Sequence, residues 1–169
     1  KMRTKYKAWS VPYLEEHIAQ KKAIYMRYKE GFKELPVKMN PYDEANSEPN
    51  FWLSCMLIDE NAMCKQVRSD CEALYISETG KSCPTEILET LAKYNAEGRP
   101  IWKPMHMQPI YRENAFITIE GNGRAKTNAY IEGSSVDVGY DIFRRGLCLP
   151  SDNKMTPAQQ DVVIDIIHR

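Results

Sequence analysis

The chain has no apolar run approaching the roughly 18 residues of a membrane span, and no apolar core of a secretion signal near its start, so a soluble protein is expected. Its five cysteines (Cys55, Cys64, Cys71, Cys83 and Cys148) are odd in number and form no CxxC pair. That argues against a disulfide-stapled secreted domain and a thiolate metal site, and favours a reduced, cytoplasmic setting. Histidine is scarce: His17, His106 and His168 are too far apart for an HExxH metal helix. Gly121-Asn122-Gly123-Arg124 does not extend to a dinucleotide or P-loop fingerprint, and Gly133-Ser134-Ser135 lacks the spacing of a nucleophile elbow. The formal net charge is zero, which leaves no electrostatic case for nucleic acid or an acidic membrane as partner.

What is present describes an ordinary globular chain. With 169 residues, 43% hydrophobic and 27% charged, it can bury a core as one domain, or one domain plus an extension. Charge is unevenly spread: residues 1–38 are basic, residues 39–98 acidic, and the remainder balanced. Such blocks fit solvated faces or two segments that meet. The chain opens on Lys1 rather than Met and stops at Arg169 within a helical pattern, so a fragment of a longer protein is expected.

Local patterns predict helices with a few short strands. A helix is expected from Pro12, with Leu14, Ile18, Tyr25, Tyr28, Phe32 and Leu35 as its apolar stripe and Pro36 as its end. Phe51–Ile58 has the length and apolarity of a strand covered on both faces. Residues 62–76 fit a helix through Met63, Val67, Cys71 and Leu74, and another helix is expected from Pro84 to a Gly98 cap. Arg99–Trp102 reads as extended, Phe116–Ile119 as a strand or loop edge, and Gly121–Gly123 as a turn. Asp137 caps a helix running to Arg145 and ended by Gly146, and Thr156 with Gln159 has capping-box spacing before a last helix. The fold class is α+β, a short sheet covered by helices.

One segment stands out chemically. Arg99–Pro109 carries three prolines among Arg99, Lys103, His106 and Gln108. Proline stiffens the backbone, and a stiff loop with oriented donors suits an anion or a sugar. The same residues also fit a plain solvated connection. Residues 121–130 leave a similar choice open between a phosphate-contacting loop, through Arg124 and Lys126, and a hairpin tip.

Arg99–Tyr111 (RPIWKPMHMQPIY) resembles the "RPLWKPMHLQP" block of the DegT/StrS family of pyridoxal-phosphate sugar aminotransferases. Asp141–Gln159 (DIFRRGLCLPSDNKMTPAQ) is similar to that family's closing signature, and Tyr13–Phe32 to its interdomain helix. The resemblance covers roughly residues 12–169. Lys1–Ser10 departs from the family's "RMSN…GxxQ" stretch. The longer Phe116–Tyr140 region, with its Gly-Asn-Gly-Arg turn, resembles bacillosamine-type members and points to a UDP-linked 4-keto-6-deoxy amino sugar.

The resemblance implies the small C-terminal domain of a fold-type-I transferase. Residues 1–11 would be unlike the family, 12–35 the linking helix from the large domain, and 36–169 the small domain. It implies pyridoxal phosphate held by a missing large domain, a nucleoside-diphosphate keto sugar as acceptor, glutamate as amino donor, and a cytoplasmic homodimer. Neither the Schiff-base lysine motif nor its partner Asp motif is matched, so no catalytic or cofactor-binding residue is expected in the chain, which alone would be inactive. Lys103, His106, Tyr111 and Arg124 are the expected substrate-binding residues, whereas Trp102, Leu147 and Leu149 are expected to pack. A dehydratase of the same family, a non-catalytic nucleotide-sugar-binding module and a ligand-free structural domain are the alternatives.

Overall fold

The computed structural model describes residues 11–68, 73–111, 113–118, 121–122 and 137–169. A 3-10 turn at Val11–Tyr13 leads into α1 (Leu14–Gly31), which lies beside α4 (Pro157–His168). α2 (Pro84–Lys93) packs against α4 as well. These helices cover one face of an antiparallel sheet in the order β1 (Val37–Met39), β2 (Cys55–Ile58), β8 (Gly146–Cys148), β5 (Arg99–Pro100). The class is the expected α+β.

The core follows from this layering. Met56 from β2 and Leu147 from β8, with Leu149 just beyond it, project between Tyr28 and Phe32 of the α1 end, Leu91 of α2, and Val163 and Ile166 of α4. Tyr28, Leu91 and Leu147 are fully buried. Each large apolar side chain removed from water contributes about 1.5–3 kcal/mol. Tyr28 keeps its hydroxyl satisfied inside this core by donating to Pro150 O at 2.7 Å, and burial pushes its pKa upward. Gln160 donates to Ile24 O at 2.6 Å, a buried polar tie between α4 and α1.

Several local readings hold. Asp137 caps α3 (Val138–Arg145), Gly146 follows it, and Thr156 and Gln159 form a reciprocal capping box on α4. The apolar stripe of α1 is buried only in its second half: Ile24, Tyr25 and Tyr28 are buried, while Leu14 is exposed. The helix ends at Gly31, one turn before Pro36.

Four readings are corrected. The described residues of 62–76, which are 62–68 and 73–76, are not helical. They hold a 3-10 turn end and a hairpin of β3 (Lys65–Arg68) with β4 (Ala73–Ile76), in the register Lys65↔Ile76 to Arg68↔Ala73. Val67 and Leu74 face solvent, while Gln66 and Arg68 face α3, whose last carbonyls they bond. Steps of 3 and 4 in apolar residues resembled a helix, but those bonds need alternation. Second, α2 stops at Lys93, and its left-handed residue is Asn95 (φ 57°) rather than Gly98. Gly98 serves close approach, because a Cβ there would lie 2.7 Å from Leu88 Cδ2 and 3.1 Å from Cys148 O.

Third, only Cys55–Ile58 of the run 51–58 is strand, since Phe51 takes φ 52°. Fourth, Gly121–Asn122, expected as part of a turn, is strand: β7 (Gly121–Asn122) pairs antiparallel with β6 (Ile117–Thr118), while Gly123 lies outside the described residues. The central strand β8, paired on both sides, was read from sequence only as a motif and packing residues.

Cys55, Cys64, Cys83 and Cys148 are free, while Cys71 lies outside the described residues. Cys55 and Cys148 face each other across β2 and β8 with their sulfurs 3.6 Å apart. That contact and burial push the Cys55 thiol well above its usual range. Among the described residues, no helix is long and apolar enough to cross a membrane.

Candidate substrate-binding site

The stiff segment after β5 folds as two consecutive 3-10 turns, Met105–Met107 and Pro109–Tyr111. Prolines set its backbone, and Met107 is its buried anchor. Gln108 Nε2 donates to Lys103 O at 3.0 Å, closing the first turn on itself.

The segment is docked on α3 and β8. Arg99 and Pro100 pair with Cys148 and Leu147. A Cβ on Gly146 would lie 2.8 Å from Ile101 Cγ1, and one on Gly139 would lie 3.4 Å from Pro104 Cγ. His106 Nε2 lies 2.7 Å from Asp137 Oδ2, and its ring sits 4.5 Å from that of Phe116. The two motif blocks, remote in sequence, therefore form one structural unit.

α3 is itself pinned at both ends. Asp137 accepts the Tyr140 N–H, and Asp141 in the first turn faces Arg144 and Arg145 in the last, which suits the helix dipole. The Arg145 guanidinium, followed by Arg144, holds the Asp141 carboxyl below the usual carboxylate range. Arg145 also donates to Ile58 O at 2.7 Å, and Arg144 pairs with Glu60 at 2.6 Å. At the C-terminal end, Arg68 donates to Phe143 O at 2.6 Å with its guanidinium 4.0 Å over the Phe143 ring, and Gln66 donates to Arg144 O. The hairpin thus satisfies carbonyls that a helix end leaves open. Burial lowers the pKa of Arg68 from its usual value.

Of the expected site residues, Lys103, His106 and Tyr111 lie on this one docked segment, all partly buried. Arg124 lies outside the described residues. Trp102 does not pack inward: it is 63% exposed and tilts against Trp52, ring centroids 6.2 Å apart. Leu147 and Leu149 are core residues, as expected. Sequence reasoning saw Asp137 only as a helix cap and missed its bond to His106. No local signal links two residues 31 positions apart.

An apolar hollow of about 260 Å³ lies on the sheet face away from the core, lined by residues including Met39, Leu57, Ile101 and Ile142. Among the described residues, no group of three or more His, Cys, Asp or Glu could hold a metal ion. None of the described lysines is buried, whereas an aldehyde cofactor needs a lysine whose amine is desolvated or otherwise activated. No buried lysine amine among the described residues meets that need.

This architecture is that of a portion of a pyridoxal-phosphate aminotransferase fold. The chain belongs to the DegT/DnrJ/EryC1/StrS aminotransferase family, whose sequence profile matches residues 9–168. It is 29% identical over 155 residues to EpsN of Bacillus subtilis (strain 168), named as a pyridoxal phosphate-dependent aminotransferase, covering 91% of this chain and 31% of that protein. Its fold is similar to that of Spr1654 from Streptococcus pneumoniae in its PMP form, described as a sugar aminotransferase. There the TM-score is 0.65 at 16% identity, over 92% of this chain and 31% of the other. DesI in the presence of its TDP-sugar product gives a TM-score of 0.64 at 15% identity, over 94% and 32%. The chain spans about a third of the length of these relatives.

Proposed function

We propose that this chain is the substrate-facing part of a pyridoxal-phosphate enzyme. That enzyme moves an amino group from glutamate onto the keto carbon of a sugar carried on a nucleoside diphosphate. Family membership supports the transferase class, and the TDP-sugar product named for DesI supports the acceptor. The observation that carries the reading is the stiff segment 99–111, which presents Lys103, His106 and Tyr111 and is clamped to α3 through His106 and Asp137.

Each side chain has a part. Lys103 supplies a cation for the diphosphate, joined by Arg124. His106 supplies a directional hydrogen bond to the sugar moiety or to a phosphate oxygen, and Tyr111 an aromatic edge with a polar tip. The cofactor, as the electron sink of the reaction, is held by the remainder of the polypeptide, with α1 as the link to it. Trp52, Trp102, Met105 and Ile110 are all exposed. Apolar exposure concentrated beside a binding segment suits docking of that remainder and of a second subunit. The sugar product would serve glycan assembly in the cytoplasm.

The test is His106→Ala in the complete polypeptide. KM for the sugar nucleotide should rise about ten-fold, the loss of one well-placed hydrogen bond, with the cofactor absorbance unchanged. An unchanged KM removes this segment from the site.

A further inference from the structure

β2 and β8 are each flanked by strands on both sides, and each carries one cysteine. Cys55 stands directly opposite Cys148 in their antiparallel register, with the sulfurs 3.6 Å apart. The next residues, Met56 and Leu147, point into the core, and side chains alternate along a strand, so both thiols lie on the other face of the sheet. The backbone of Cys55 bonds to Asn40: its N–H donates to Asn40 Oδ1 at 2.8 Å, and its carbonyl accepts the Asn40 N–H at 2.9 Å. Toward β8, it is Ser54 O that accepts the Leu149 N–H, at 2.9 Å. Cys55 and Cys148 are thus a non-hydrogen-bonded pair, the closer kind in an antiparallel ladder, with Cα atoms about 4.5 Å apart. That spacing falls within the range a disulfide spans.

The surroundings give the pair access and acidity. Cys148 is buried, at 4% exposure, while Cys55 is half-buried and lines the apolar hollow of about 260 Å³ with Leu57, Ile101 and Ile142. Such a hollow exceeds the roughly 30 Å³ of a water-sized molecule several-fold, so a small uncharged oxidant fits it. The hydrogen bond from Cys55 draws the Cys148 thiol below its usual value against the effect of burial, and the Arg99 guanidinium on neighbouring β5 adds to that pull. The thiolate is the form that reacts.

We propose that Cys55 and Cys148 form a reversible redox-modification site, at which a peroxide converts the two thiols into a disulfide that staples β2 to β8. First, the O–O bond of the peroxide breaks as one sulfur takes an oxygen to become a sulfenic acid, and one water leaves. The second sulfur then attacks the first. The S–S bond forms, the S–O bond breaks, and the hydroxyl leaves as a second water with the remaining thiol proton. The sulfur pair loses two electrons and the peroxide gains them. Exchange with a small thiol restores the dithiol, as suits a reduced setting in which disulfides are transient and regulatory.

The staple falls beneath the candidate site, because β8 also holds β5, from which segment 99–111 leaves. Its formation does not depend on the substrate proposed above. Cys64 and Cys83, both buried, are the competing thiols. Their segments meet beside the Met63↔Ser82 bridge, and neither lines the hollow.

The test is peptide mapping of the complete polypeptide after brief exposure to hydrogen peroxide, alkylated without reduction, and again after dithiothreitol. The expected product joins the peptides of Cys55 and Cys148, lighter than the two together by two hydrogens, and it disappears on reduction. Thiols that survive unlinked, higher oxides without a link, or a link from either cysteine to a different one overturn the proposal. In the linked form, hydrogen exchange at β2 and β8 should slow about ten-fold or more, because opening no longer separates the strands. Unchanged exchange in a linked sample overturns the staple. Cys55→Ser, at the half-buried position, should abolish the link and the slowing while matching the reduced parent. Slowing by peroxide that persists in Cys55→Ser overturns the assignment to this pair.

Discussion

On one face of the four-stranded sheet, Met56, Leu147 and Leu149 sit among Tyr28, Phe32, Leu91 and Val163. On the other, segment 99–111, α3 and the β3–β4 hairpin meet through His106 with Asp137, Arg145 with Ile58 O, Arg68 with Phe143 O and Gln66 with Arg144 O. The first face is held by volume and apolar area, which tolerate exchange between side chains of similar size. The second is held by directional bonds, several ending on backbone carbonyls, which tolerate loss of bulk but not loss of a donor. Placing the candidate site on the second face makes its geometry depend on particular atoms, while the first face supplies the platform.

That contrast is sharpest at Leu147, fully buried in the central strand. Leu147→Ala should destabilise the whole chain by about 2–5 kcal/mol, seen as a lower urea midpoint at unchanged slope. A loss below about 1 kcal/mol would mean that the sheet does not organise the core.

Arg68→Ala should cost less and act locally. Removing the carbonyl bond and the ring contact is worth about 1–3 kcal/mol. Hydrogen exchange should quicken in the hairpin and the last turn of α3, with the amides of α1 and α4 little changed. Uniform acceleration everywhere would erase the distinction between the two faces.

The smallest effect concerns Asp141. Its folded-state pKa lies below the ordinary carboxylate value, chiefly because of Arg145. The contribution is therefore complete above the ordinary value and lost as pH falls through the depressed one. Melting curves of the parent and Asp141→Asn should differ by less than about 1 kcal/mol at neutral pH, since the pair is partly exposed. They should converge in strong acid, below the ordinary carboxylate range. A gap that widens on acidification would refute the assignment.

The geometry of the candidate site was legible in part for the same reason that the folds of its parts were. The prolines of 99–109 announce a stiff loop in any context, and Lys103, His106 and Tyr111 do lie along it. Asp137 was legible as a cap because the Tyr140 N–H it accepts is three residues away. Its bond to His106 was not, because the two meet only after β5 and β8 have paired.

The sequence alone determined what depends on near neighbours. It determined the core-facing half of α1 by its apolar spacing, and the starts of α3 and α4 by Asp137, Thr156 and Gln159. It also carried the two motif blocks that mark the family. Tertiary structure decided the rest. Lys65–Arg68 and Ala73–Ile76 became paired strands because Gln66 and Arg68 reach carbonyls left open at the end of α3, which outweighs an apolar spacing equally suited to a helix. Gly146–Cys148 became the central strand because β2 and β5 pair on either side of it. Partners distant in the chain choose between locally acceptable conformations, since each unpaired buried polar group costs more than the local preference it overrides.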